Sequence, residues 1–307
     1  MDRFHQIKVY VAVAEEQGFA AAARRLQLSP PAVTRAVAAL EETLGVKLLN
    51  RTTRYVRATE AGQRYLEDAR QILAQLEIAD EAAAGINAEP RGHLAVTAPV
   101  LFGRKFVMPG IVDYLQCYPQ MEVDAVFLDR VVNLLEEGMD VSVRIGDLPD
   151  SSMRALRVGT VRLVVVAAPE YLARHGVPQA PQDLLAHSVI VSSAGSFSAG
   201  WRFASSVGEH PLRVKPRLRV TANDAAVAAA SQGLGITQLL SYQVAEDVAA
   251  GRLEILLEEF EPPAYPVHIV HREGRYSSAK VRAFIDLLAA RLRADKTLNY
   301  DSTQGPV

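Results

Sequence analysis

The chain has 307 residues, 49% hydrophobic and 22% charged, with a net charge of −2; that is enough apolar material for more than one core, and the length suggests about two domains. Its single cysteine, Cys117, excludes an intrachain disulfide and suits a reducing compartment. Residues 17–59 carry seven basic side chains (Arg24, Arg25, Arg35, Lys47, Arg51, Arg54, Arg57) against Glu41 and Glu42, a local balance of +5, so the remainder sums to −7. Charge concentrated in this way points to a DNA reader joined to a part that does not read DNA.

In chain order, a first helix over Phe4–Glu16 sets Phe4, Ile7, Val11 and Ala14 on one side. An Ala-rich helix from Phe19, a three-residue turn and a second helix opening with Ser29-Pro30-Pro31 follow. Ser29 suits an N-cap, because the proline after it favours extended backbone, and both prolines fall where helix N–H groups lack partners. Val33, Val37, Leu40 and Leu44 recur at helical spacing as a buried stripe, which leaves Pro31, Thr34 and Arg35 to face DNA, and Gly45 ends the helix. Arg51-Thr52-Thr53-Arg54-Tyr55-Val56-Arg57 supplies cations to grip flanking phosphates. The candidate DNA-binding residues are therefore Ser29, Pro30, Pro31, Thr34, Arg35, Arg51, Thr53 and Arg54. A generic helical bundle with a solvated basic face is the alternative.

The run from Met1 to Gly62 resembles the winged helix-turn-helix of LysR-type transcriptional regulators. The resemblance is carried by Phe19, Ala22-Ala23, Leu26, Ser29 to Arg35, Leu40-Glu41, Leu44 to Leu49, Arg51, Arg54 and Thr59-Glu60-Ala61-Gly62, and it extends to about Leu292. It implies an α/β protein with a reading domain (1–58), a linker helix and hinge (59–91), and a two-lobed, periplasmic-binding-protein-like effector domain (92–293). Within that domain, lobe I would comprise 92–166 and 267–293, and lobe II 167–266, with crossings near Ala167 and Pro266. The chain departs from the family where Pro30 replaces a common glutamine, Ala20 a Thr or Ser, and Ala38 and Ala39 basic residues. Base readout and phosphate contact should therefore rest more on Arg35 and the wing.

From Thr59 to about Ala84 the pattern is one long helix, about 38 Å for ~25 residues. Leu66, Ala69, Leu73 and Leu76 form a stripe that Tyr65, Ile72 and Ala79 widen and Asp80 interrupts. The stripe suits pairing of two copies, hence a homodimer or homotetramer; packing on its own C-terminal domain is the alternative. Gly85–Gly92 reads as a hinge.

Beyond it, strands are expected at Leu94–Ala98, Glu122–Phe127, Val141–Ile145, Arg162–Ala168, Ile236–Leu239 and Val267–Val270. Helices are expected at Phe102–Tyr118 (interrupted near Pro109), Val131–Glu137, Asp224–Gln232 and Ser277–Leu292. Such alternation argues mostly parallel sheets, and the polar tail 294–307 reads as disordered.

A ligand in such a fold sits beyond strand ends and at helix starts. Thr97, Pro99, Leu101 and Phe102, then Arg144, Ile145 and Gly146, then Asn223 and Asp224 qualify, with Phe203 or Trp201 as aromatic walls. A small organic acid or an aromatic compound would fit. Against this, Thr97, Asn223 or Asp224 could serve only as caps, Arg144 could pair with Asp140 or Asp147, and Trp201 could be core. Nothing suggests catalysis, a metal or a cofactor. Cys117 has no nearby His, His268 and His271 point to opposite strand faces, and Gly233-Leu234-Gly235 lacks a third glycine. Asp2, Arg3, His5 and Lys8 interrupt any leader-like run, and no stretch approaches a membrane span, so a cytoplasmic location is expected. The expected function is a DNA-binding transcriptional regulator that senses a small molecule; a solute-binding protein without a regulatory role is the alternative.

Overall fold

The computed structural model describes residues 2–51, 56–84, 89–148, 153–194, 200–205, 208–272 and 278–298. Two compact units emerge, one N-terminal and one beginning at Glu89.

In the first unit, α1 (Arg3–Glu15), α2 (Phe19–Arg25) and α3 (Pro30–Leu44) precede a two-stranded hairpin, β1 (Leu49–Arg51) and β2 (Val56–Ala58), and then α4 (Glu60–Ala84). Val9, Tyr10, Val13, Ala22, Val33, Ala36, Val37 and Leu40 fill the core with no exposed surface, the expected consequence of apolar positions at helical spacing. Phe4 is not part of it and stands 42% exposed at the end of α1, one turn short of the packed surface. Gly45 closes α3 at φ +68°, in the left-handed conformation that glycine adopts without a steric penalty. The start of α4 packs here too: Leu66 (5% exposed) and Ala69 (0%) belong to this core, and Leu73 packs against it. These residues, expected at a subunit seam, are largely spent inside their own chain, because α4 leaves the wing lying across α1. Tyr10 Oη donates to the Gly62 carbonyl at 2.7 Å and fastens that crossing.

The second unit holds two five-stranded sheets. In chain order its elements begin with β3 (Gly92–Ala98), α5 (Val100–Phe102), a π-helical turn at Gly103–Val107, α6 (Met108–Cys117), β4 (Met121–Phe127), β5 (Val141–Ile145) and β6 (Met153–Val161). Then come β7 (Leu163–Ala167), α7 (Pro169–His175), β8 (Val189–Ser192), β9 (Trp201–Ser205), β10 (Gly208–Leu212) and β11 (Leu218–Val220). The chain finishes with α8 (Asn223–Ser231), β12 (Ile236–Leu240), α9 (Ser241–Ala249), β13 (Glu254–Leu256), β14 (Tyr265–Arg272) and α10 (Ala279–Ala294). One sheet has the order β4-β3-β5-β14-β6 and the other β11-β8-β12-β7-β13. Both are mixed rather than mostly parallel: β3 runs parallel to β4 and β5, whereas β14 is antiparallel to β5 and β6, and β7 to β12 and β13. The antiparallel strands β7 and β14 are the ones by which the chain enters each sheet from the other, β7 after β6 and β14 after β13.

The chain passes between sheets at Arg162 and returns between Leu256 and Tyr265, so β7 lies wholly in the second sheet and the crossing precedes the expected Ala167. Arg162 ties the two passages together, donating from Nε (2.7 Å) and Nη2 (2.6 Å) to Glu261 and from Nη2 to Glu258 at 3.1 Å. Val131–Glu137 is not a helix but a turn. The Asn133 side chain accepts the Leu135 N–H at 3.1 Å, and Gly138 reverses the chain at φ +66°. The helix break expected near Pro109 lies upstream of it, where the missing proline N–H lets the backbone widen into the π turn. Leu298, in the tail, is fully buried against Gly159.

Candidate DNA-reading face and effector cleft

Ser29 occupies the N-cap of α3 with extended backbone but makes no side-chain cap bond. The reason is local: Pro31 has no N–H, and the Ala32 N–H is taken by the Ser29 carbonyl at 2.9 Å. Ser29 is exposed, beside the exposed rings of Pro30 and Pro31. Thr34 turns its hydroxyl back to the Pro30 carbonyl at 3.0 Å, and Arg35 projects outward one residue later. Of the wing residues, Arg51 ends β1, while Thr53 and Arg54 lie outside the described residues. Glu41, overlooked in the sequence as a working residue, joins helix to wing. It is 3% exposed; its Oε1 accepts the Leu48 and Leu49 N–H groups at 3.0 and 3.1 Å, and its Oε2 accepts Lys47 Nζ at 2.7 Å. Burial alone would raise its pKa, but those three donors outweigh it and hold the carboxyl below its ordinary range.

The second unit contains a cavity of about 460 Å³ between its two sheets, within the usual range for a small-molecule site. Thr97, Pro99, Arg144, Ile145, Gly146 and Asn223 of the expected set line it. The sheet register explains the first group, since Thr97 of β3 faces Ser142 of β5 and Arg144 follows two positions on, all on one face. Phe102 does not line the cavity. It is fully buried in the lobe I core against Phe106 and Tyr242, at ring distances of 4.7 and 5.3 Å. Leu101 also falls outside the lining and packs on that core. Phe203 and Trp201 (each 4% exposed) sit in the lobe II core, and Arg202 between them lines the cavity instead. Asp224 is exposed, outside the lining, and accepts the Ala225 N–H at 2.8 Å.

Arg144 does not form the ion pair that Asp140 and Asp147 offered. Asp140 spends a carboxylate oxygen on the Ala95 N–H at 2.9 Å, and no carboxylate lies within salt-bridge distance of Arg144 among the described residues. The guanidinium donates to the Val132 carbonyl, and burial, opposed by no neighbouring acid, pulls its pKa down. Arginine nevertheless stays charged, so the cleft wall carries an uncompensated cation.

Comparison with known proteins agrees with this geometry. Residues 4–63 match the bacterial regulatory helix-turn-helix model of the lysR family, and residues 87–293 match the LysR substrate binding domain. The chain is 31% identical over 289 residues to the HTH-type transcriptional regulator CrgA of Neisseria meningitidis serogroup B, covering 94% of this chain and 96% of that one. It is 33% identical over 285 residues to the HTH-type transcriptional regulator DmlR of Escherichia coli, with 92% of each covered. The solved structure of CrgA superposes with a TM-score of 0.60 at 31% identity, covering 94% of this chain and 98% of that one. The chain belongs to the LysR family of transcriptional regulators.

As a LysR-type regulator it combines a DNA-binding domain with an effector-sensing domain. A solute-binding protein without a regulatory role would leave residues 4–63 without a purpose. Among the described residues no cluster of His, Cys, Asp or Glu is arranged to hold a metal, and no helix is long and apolar enough to cross a membrane. The lining residues missed in the sequence include Ser142, Ser192, Arg202, Gln238, Tyr242 and Gln243. Arg202 alone had a usable signal, lying between two aromatic residues that alternation would place in the core.

Proposed function

We propose that this LysR-type regulator responds to a small organic acid, held by its carboxylate at Arg144 with Thr97 and Ser142 beside it. The observation that carries this reading is the Arg144 guanidinium, set in the cavity wall and unmatched by any acid among the described residues. A carboxylate there would gain charge-assisted hydrogen bonds from a fork matched to its shape. A purely aromatic guest has less support, because Phe102 and Phe203 are spent in the two cores. On DNA, Ser29, Pro30, Pro31, Thr34 and Arg35 would meet the major groove, and Arg51, Thr53 and Arg54 the flanking backbone. The exposed side of α4, near Ile72, Leu73 and Leu76, would pair subunits.

The test is a thermal-shift screen of small organic acids and neutral aromatics on the full chain, with Arg144→Gln and Thr97→Val in parallel, and footprinting on the DNA upstream of its own gene. Acids should stabilise the wild type, and both variants should respond less while keeping the footprint. Stabilisation by neutral compounds alone, undiminished in Arg144→Gln, would overturn the carboxylate reading.

A further inference from the structure

We infer that the effector is a hydroxy acid: its carboxylate meets Arg144 on the first lobe, and its hydroxyl meets Asn223 at the start of α8 on the second. This rests on the carboxylate reading of the cleft and narrows it.

Three polar residues in the cavity wall are buried: Thr97 is 2% exposed, Ser142 3% and Asn223 9%. None of their side chains is hydrogen-bonded to a protein group among the described residues. Buried hydroxyls and amides are nearly always hydrogen-bonded, so three of them on one cavity mark positions that solvent or a guest has to satisfy. Thr97 and Ser142 are paired across β3 and β5, and Arg144 follows two positions on. Both hydroxyls can donate to a carboxylate held there. Asn223 belongs to the other lobe.

The other polar side chains on that wall are already committed. Ser192 accepts the Ala194 N–H at 3.2 Å, and Gln238 bonds both backbone groups of Arg202 at 3.1 and 2.9 Å. Gln243 accepts the Leu240 N–H at 3.0 Å and donates to Tyr242 Oη at 3.3 Å, and Arg202 is itself engaged within the protein. Asn223 is the first residue of α8, where backbone N–H groups have no partner inside the helix. Its amide adds two donors and, in Oδ1, an acceptor. A second carboxylate could take the N–H groups but would offer Oδ1 nothing, and an ammonium would meet the positive end of the helix dipole. A hydroxyl accepts from the N–H groups and donates to Oδ1. Such a guest touches both lobes, which is what a ligand needs if it is to bias their arrangement.

The experiment uses the full chain and acids matched with and without a hydroxyl: lactate and propionate, 4-hydroxybutyrate and butyrate, hydroxybenzoate and benzoate. Glutarate and 4-aminobutyrate replace the hydroxyl by a second carboxylate and by an ammonium. Binding is read by calorimetry and thermal shift. At least one hydroxy acid should bind about tenfold more tightly than its partner, the weight of one neutral hydrogen bond. Asn223→Leu, close in size but without polar atoms, should erase that advantage. Its unliganded melting temperature should not fall, because the side chain it replaces bonds nothing in the protein; a marked fall would make Asn223 a structural residue and overturn the assignment. Equal affinities within every pair, an advantage that survives in Asn223→Leu, or tighter binding of glutarate or 4-aminobutyrate than of 4-hydroxybutyrate would overturn it too, and leave the carboxylate reading standing. If no acid of any kind binds the wild type, both fall.

Discussion

Removing the Glu41 carboxylate should uncouple the recognition helix from the wing. Glu41→Ala would strand the buried Leu48 and Leu49 N–H groups, which now share Oε1 at 3.0 and 3.1 Å. An unsatisfied buried donor costs ~1–3 kcal/mol, so the pair should cost roughly 2–6 kcal/mol, a large part of the stability of a domain this small. Glu41→Gln can keep an oxygen at the same place and lose only the charge assistance, about 1–3 kcal/mol over two bonds. Lys47 contributes little to either figure, because its side chain is 77% exposed. The pKa of Glu41 is lowered in the folded state, so its stabilisation is complete above the ordinary carboxylate range and is lost as pH falls through the folded value. The gap between wild type and Glu41→Gln should therefore close on acidification below about pH 4.5. Calorimetry of the full chain, with hydrogen exchange across Glu41–Arg51, would show it. Unchanged melting and unchanged exchange at Leu48 and Leu49 in Glu41→Ala would refute the argument.

Three further outcomes are expected. Gly62→Ala should unfold the reading head, since a Cβ there would lie 2.0 Å from the Leu48 carbonyl oxygen; a soluble variant with normal operator affinity would contradict this. Leu76→Glu, beyond the part of α4 that packs on the head, should yield smaller particles by light scattering, and an unchanged oligomer would remove α4 from the seam. Arg35→Ala should weaken operator binding by about 1–3 kcal/mol in mobility shifts if it reads a base; equal loss on random DNA would make it a phosphate contact, and no loss would remove it from the interface.

The reading head was legible because its signals are local. Ser29-Pro30-Pro31 sets the start of α3, Gly45 its end, and the α4 stripe needed no distant partner to be seen. What the sequence hid depends on pairing far along the chain. The strand β6 alternates poorly, with Arg154, Ala155 and Arg157 exposed, and exists through its pairing with β14 over a hundred residues later. Leu298 looked like one apolar residue in a polar tail, yet it is buried where Gly159 lets the backbone approach. The cleft was found by its strand ends, but its walls were misassigned. Aromatic character makes Phe102 and Phe203 attractive as ligand surfaces, whereas burial gains more by placing them in cores.

The same cores constrain how a ligand can act. Leu240 ends β12 of the second sheet and Tyr242 follows it in α9, yet both belong to the core of the first lobe. Tyr242 packs edge-on against Phe102 at 5.3 Å and near Phe106 at 5.9 Å. Burial pushes the Tyr242 hydroxyl pKa well above its ordinary value. Lys105 reaches Glu246 of α9 at 3.5 Å, and Arg162 binds Glu258 and Glu261 beside the second passage between sheets. Rotating the lobes widely apart would draw Tyr242 out of that core, at a cost of about 1.5–3 kcal/mol for this side chain alone. A guest can shift an equilibrium only by the difference in its affinity for the two states, so a shared core favours small displacements over wide closure. The segment best placed for such displacements is the turn after Asp129, because Arg144 holds the Val132 carbonyl from within the cleft. On the proposed reading, an acid drawn to Arg144 would compete with the Val132 carbonyl for the guanidinium, and that competition would convert occupancy into movement at the cleft rim.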